Sequence, residues 1–184
     1  RNSGEGGSGE IFISRLSSSG KWGTAKELGK TINTSYFESS ASITADGKKL
    51  YFISERKGGN GMADIYISER ISKTEWGPAV NIGPVVNTPG DERMVFIHPN
   101  GNTLFFSSDG RLGMGGYDLY KSSFENGQWT APVPLAYPIN TVNDEVNFSL
   151  TSDNKKAYIS AQKPGGLGEL DIFEIDMTGY KIVE

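Results

Sequence analysis

The stretch MVFIHPNGNTLFFSSDGRLGMGGYDLYK, Met94 to Lys121, decides the fold. It opens on an apolar run, turns at Asn100-Gly101, and continues through the aromatic run Leu104 to Phe106. It then crosses a glycine-rich loop and ends in Asp118-Leu119-Tyr120. Taken alone, the loop within Ser107 to Ser122 fits a phosphate cradle, an acidic metal loop or a connection between two strands. The rest of the chain chooses among them.

The same pattern returns on a fixed interval. Trp22, Trp76 and Trp129 stand 54 and 53 residues apart, and so do Asn33, Asn87 and Asn140, each followed by Thr. Glu38, Glu92 and Glu145 repeat on these intervals, as do Asp64, Asp118 and Asp171. Four markers on one period define a structural repeat. One unit runs over 38–91, the next over 92–144, and an incomplete one over 145–184. Residues 1–37 supply the second half of an earlier unit, so the chain reads as a single domain of about 3.4 units in its 184 residues. That length suits one hydrophobic core.

Within a unit the order is strand, turn, strand, glycine loop, strand, turn, strand. In the first complete unit SASITA alternates, DGKK turns, LYFISE follows, RKGGNGMA forms the loop, and DIYISER and TEWGPAVNIG supply the last two strands. Aromatic and β-branched runs bounded by Asp-Gly and Asn-Gly pairs are strand and hairpin signals. No window sustains the i, i+3, i+4, i+7 apolar pattern of a helix. The 24 glycines fit many tight turns. The expected fold is all-β: a β-propeller of four-stranded antiparallel blades.

The glycine loop is thereby read as a connection. Gly59, Gly113 and Gly166 share one position, and Gly61, Gly115 and Gly168 another. A phosphate loop is expected once and opens a helix, whereas this loop occurs in every unit and leads into a strand. Asp64, Asp118 and Asp171, each at the start of the third strand, are read as structural residues that accept backbone N–H groups across the loop. Calcium ligation is the rival reading, but one repeating carboxylate per loop is thin for a cation that takes several oxygens. No cofactor and no metal is expected.

Composition narrows the function further. A net charge of -4 and no basic run longer than Lys48-Lys49 or Lys155-Lys156 argue against nucleic acid as a partner. No apolar run approaches the roughly 18 residues of a membrane-spanning helix, and no signal peptide is visible. Cysteine is absent and His98 is the single histidine, at the turn position held by Thr44 and Thr151 in the sister units. A Ser-His-Asp arrangement has little to build on. The GGSGE segment around Ser8 lacks the final glycine of a nucleophile elbow. The expectation is a protein that is not an enzyme.

The blocks ASITADGKKLYFISERKGGNGMADIYIS, MVFIHPNGNTLFFSSDGRLGMGGYDLYK and NFSLTSDNKKAYISAQKPGGLGELDIFE resemble the WD40-like repeat of TolB-type propellers. The resemblance covers essentially the whole chain. The departures are Asn100 and Asn154 in the D-G turn and Glu10 in place of the first Asp of the D-I-Y motif. The longer spacing, with its tryptophan segment and N-T-x2-[DF]-E linker, is similar to repeats of Bacteroidetes outer-membrane proteins. In those a propeller accompanies tetratricopeptide and OmpA-like peptidoglycan-binding domains, including a component associated with type IX secretion. The resemblance implies a periplasmic or outer-membrane-associated bacterial protein.

Because propellers usually carry four to eight blades, the units present imply either part of a larger ring or two chains sharing one ring. Glu38, Glu92 and Glu145, with Asp91 and Asp144, precede the innermost strand near the mouth of the central channel. Arg56, Lys57, Arg111 and Lys163 in the glycine loops reach the same end. Together they form a candidate recognition face for a protein or glycan. The competing reading has each glutamate bonding the backbone of a neighbouring blade, with the basic residues solvated. Trp22, Trp76 and Trp129 are expected to pack the outer hairpin, with stacking on sugar rings as the rival. The expected role is a scaffold for protein–protein interaction in the cell envelope, with a protein partner and no membrane span. A glycan- or peptidoglycan-binding propeller and the gating propeller of a prolyl-oligopeptidase-like hydrolase are the alternatives.

Overall fold

A computed structural model describes residues 9–162 and 165–180. All regular structure among them is β. The first sheet is a short pair, β1 (Phe12–Ile13) and β2 (Lys26–Glu27). Next comes a four-stranded sheet of β3 (Glu38–Ile43), β4 (Lys49–Ser54), β5 (Asp64–Glu69) and β6 (Val80–Asn81), hydrogen-bonded in chain order. The third sheet holds β7 (Glu92–Ile97), β8 (Thr103–Ser108) and β9 (Asp118–Glu125), with β10 (Gln128–Trp129) and β11 (Val133–Pro134) both on β9. The last comprises β12 (Glu145–Leu150), β13 (Lys156–Ala161) and β14 (Asp171–Asp176). All named pairings are antiparallel.

The second strand of each unit shows why the sheets stack. Side chains alternate between the two faces of a strand, and both faces of β4 and β8 are buried. Leu50 and Phe52 join Leu28, Ile32, Tyr66 and Trp76 on one side. Tyr51 and Ile53 join Leu104, Phe106 and Tyr120 on the other. Phe105 then packs with Phe148 and Ile159 of the last sheet. Three successive cores therefore lie between four successive sheets, which is blade-on-blade packing.

The fourth strand differs from the expectation of a full strand over 74–83. Arg70 and Trp76 make only an isolated bridge, and pairing resumes at β6 beyond Gly77-Pro78. In the next unit the outer strand is split into β10 and β11 around Thr130 to Pro132. Proline removes the ladder N–H in both cases.

The hairpin turns keep one geometry despite changed residues. Asp46 Oδ1 accepts from Thr44 Oγ1 at 2.7 Å and from the Lys48 N–H at 3.0 Å. Asp153 does the same with Thr151 at 2.6 Å and Lys155 at 3.1 Å. Asn154 supplies there the positive φ, 57°, that Gly47 supplies at 68°. At the third such turn His98 Nδ1 accepts the Asn100 N–H at 3.2 Å. The opposite ring nitrogen meets Asn154 Oδ1 at 2.8 Å, tying two adjacent units together.

Among the described residues, no further sheet packs on the outer faces of the first and last sheets. Trp76 is 6% exposed against the unit before it, whereas the equivalent Trp22 is 70% exposed. At the other end Tyr158 and Ile172 are exposed on the face where Tyr51 and Ile65 are buried two sheets earlier.

Candidate interaction face

Each linker between units carries an Asn-Thr pair that nails two units together. Asn33 accepts the Ile11 N–H at 2.9 Å and donates to the Ile11 carbonyl at 3.0 Å. Asn87 does the same to Ile65 and Asn140 to Leu119, at 2.8–3.0 Å. All three amides are buried, so a substitution leaves the N–H of Ile11, Ile65 or Leu119 without a partner, while the carbonyls keep bonds from Leu28, Ile82 and Leu135. The sequence shows these asparagines as period markers without disclosing this role.

The threonine after each asparagine holds the glutamate four residues on. Thr34 Oγ1 donates to Glu38 Oε1 at 2.6 Å and its N–H to Oε2 at 2.8 Å. Thr88 repeats this with Glu92, as Thr141 does with Glu145. Ser54 adds a bond to Glu38 at 2.8 Å and Ser108 one to Glu92 at 2.9 Å. Glu38, Glu92 and Glu145 are buried. They fasten the linker to the first strand and are withdrawn from the exposed part of the candidate face. Burial raises Glu92 to about 7, against the bonds from Thr88 and Ser108 that favour its charged form.

The two loop arginines are likewise occupied. Arg56 lies over the rings of Phe52 and Tyr66, 5.1 and 4.8 Å from their centroids. It donates to the Ile32 carbonyl at 2.6 Å and lies 3.5 Å from Glu38. Arg111, one loop position later in its own unit, lies over Phe106 and Tyr120 and donates to the carbonyls of Val85 and Val86 at 2.8 and 2.7 Å. Both guanidiniums cap a pair of neighbouring rings and hold the preceding linker. Lys57 is exposed. Lys163 lies outside the described residues.

The aspartates close the glycine loops. Asp64 Oδ2 accepts the Asn60 N–H at 2.6 Å, and Asp118 Oδ2 accepts those of Met114 and Gly115 at 2.8 and 3.0 Å. Asp171 Oδ2 takes Leu167 at 2.7 Å and Gly168 at 3.2 Å. Asn81 reaches Asp64 at 3.3 Å. Asp118 Oδ1 and Arg111 Nε are buried without a hydrogen-bond partner among the described residues.

Loops and linkers converge at one end of the sheets. The Met62 N–H donates to the Gly90 carbonyl, and a Cβ on Gly61 would strike the main chain of Thr88 and Gly90. The Asp91 N–H donates to Asp109 at 2.7 Å. The Tyr117 N–H donates to Asp144 at 3.0 Å and its hydroxyl to Asp91 at 3.3 Å. Arg93 lies over the Tyr117 ring, 4.4 Å from its centroid. Burial and the neighbouring carboxylates raise the Tyr117 hydroxyl to about 12, keeping it a donor. Among the residues predicted to form the face, Asp91, Asp144, Lys57 and the outer parts of both arginines are thus brought together, while the three glutamates lie beneath. The tryptophans are at the far rim. Trp76 stacks with Arg70 at 4.5 Å, and Trp129 meets Phe124 and Tyr51 edge-on.

No family model matches this chain, and no curated protein matches it in sequence. Solved structures match in fold. TolB from Acinetobacter baumannii aligns at 19% identity and TM-score 0.54, over 91% of this chain and 35% of its own. A putative TolB from Agrobacterium tumefaciens aligns at 16% identity and TM-score 0.57, over 92% and 52%. A puromycin-hydrolyzing peptidase from Mycobacterium tuberculosis aligns at 13% identity and TM-score 0.51, over 83% and 22%. The fold is therefore that of a TolB-like β-propeller, and the chain spans about half or less of each of these structures.

Proposed function

We propose that this chain is a non-catalytic platform for polypeptide partners in the bacterial cell envelope, on the periplasmic side and close to the outer membrane. The observation that carries this reading is the division of labour at the loop end. Glutamates, aspartates, asparagines and arginines of the repeat are spent on hydrogen bonds that stiffen loops and linkers. What remains outward is a fixed, displayed surface, the usual arrangement for recognition on a rigid scaffold. His98 is buried between Asn100 and Asn154, which supports a structural over a catalytic role. The envelope placement draws on the likeness of fold to TolB and on the repeat's resemblance to those of OmpA-type outer-membrane proteins, type IX secretion components included.

A second reading has a specific observation behind it: a peptidase and a prolyl endopeptidase share the fold at 13% and 16% identity. The chain would then be the gating propeller of a hydrolase. The presence of a hydrolase domain in the same gene separates the two.

The platform reading is tested by quantitative capture from a bacterial envelope extract on the immobilised intact protein, with and without competing peptidoglycan fragments. Enrichment of one or two proteins that survives competition supports it. Capture that vanishes with the glycan transfers the function to sugar recognition.

A further inference from the structure

The loop end also carries apolar side chains that the fold does not bury. Met62, Leu112 and Leu167, on three successive glycine loops, are 71%, 98% and 100% exposed, with Met114 and Val142 exposed beside them. Bonds that join loop to linker fix this location for the first two loops: Arg111 to the Val85 carbonyl, Met62 to Gly90, Tyr117 to Asp144. Leu167 follows β13 as Leu112 follows β8, so its loop leaves the same end of its sheet.

The repeat does not need these side chains. The position of Leu112 is Gly58 and Gly165 in the sister units, and that of Met62 is Gly116 and Glu169. Met114 and Leu167 share a position, but Asn60 fills it in the first complete unit, whereas a packing requirement would recur in every unit as the buried asparagines do. Single exposed hydrophobics carry no meaning, but several gathered at one end of a rigid scaffold mark an interaction surface.

Charge at the same end selects the occupant. Glu55, Asp109, Asp144 and Glu169 are exposed there, while Arg56 and Arg111 are turned onto rings and carbonyls. Among the described residues the exposed cations at this end include Lys30, on the linker that Arg56 holds, Lys57 and Arg93, and Arg93 is already laid over Tyr117. Carboxylates around aliphatic side chains complement a basic partner and repel anionic lipid headgroups.

We propose that this end docks a polypeptide segment presenting apolar anchors flanked by lysines or arginines. The proposal rests on the platform reading and specifies its surface and its partner's chemistry. The test measures binding to the intact protein of a synthetic peptide of leucines spaced by lysines. Its glutamate-for-lysine and serine-for-leucine counterparts are run beside it, with vesicles of phosphatidylcholine alone or mixed with phosphatidylglycerol. The lysine–leucine peptide binds at least about tenfold more tightly than either counterpart, and L112S/M114S/L167S loses about tenfold. D109N/D144N, which keeps both hydrogen-bond acceptors, weakens the same peptide, and neither vesicle binds.

Equal affinity for the glutamate peptide, an unaffected triple variant with an unchanged unfolding midpoint, or vesicle binding abolished by the triple variant overturns the proposal. An envelope partner captured equally by the triple variant refutes this surface while the platform reading stands. No capture by the unaltered protein refutes both.

Discussion

The carboxamide of Asn87 closes on the main chain of Ile65 from both sides, accepting its N–H at 2.9 Å and donating to its carbonyl at 3.0 Å. A side chain from the linker thus completes the third strand where the fourth strand is only two residues long. In Asn87→Ala the Ile65 carbonyl keeps the Ile82 N–H, but the buried N–H is orphaned. The expected loss is about 2–3 kcal/mol in denaturant unfolding, against at most about 0.5 kcal/mol for exposed Asn102→Ala.

Glu92 sets a pH dependence. Its folded value of about 7 lies above that of the unfolded chain, which therefore releases its proton first. The folded state holds more protons between about 4.5 and 7, so stability is highest below that window and falls as pH rises through it. The fall is up to ~3 kcal/mol from this one group. In Glu92→Gln that component of the slope disappears, as unfolding midpoints measured across the window will show.

Arg111 joins the Val85–Val86 linker to the Phe106–Tyr120 ring pair. Arg111→Lys keeps the charge and loses the planar fork and stack. We expect a cost of about 1 kcal/mol, and about 2 kcal/mol for Arg111→Ala, read by chemical denaturation. Lys57→Ala, exposed one loop earlier, leaves the midpoint unchanged within about 0.5 kcal/mol.

The glycines of one loop family fail for two different reasons. A Cβ at Gly115 would meet the main chain of Asn143, so Gly115→Ala forces loop and linker apart at a cost of about 2–3 kcal/mol. Gly58 has open space but φ of 90°, so Gly58→Ala costs only about 1 kcal/mol of backbone strain. Paired unfolding curves distinguish clash from strain.

The repeat was legible in the sequence because its markers do the same bonding job in each unit: Asn to the third strand, Glu to Thr, Asp to the glycine loop. What escaped sequence reading has identifiable physical causes. Glutamates are exposed by default, and only the threonine four residues earlier signals their burial. Arg56 and Arg111 stand one loop position apart, so alignment hides that both reach the same place on the preceding linker. Trp22 shares a position with Trp76 yet is exposed, because its packing surface belongs to a neighbouring sheet rather than to its own residues. Of the apolar side chains at the loop end only Met114 and Leu167 share a position, filled by Asn60 in the first complete unit, so periodicity passes over the group.

The most direct test of the central claim is site-specific photo-crosslinking in intact cells, with the crosslinker at Leu112 on the loop end or at Ile71, an exposed residue away from it. The account predicts one discrete protein adduct from Leu112 and none from Ile71. Adducts from Ile71 alone, or from neither position, contradict it.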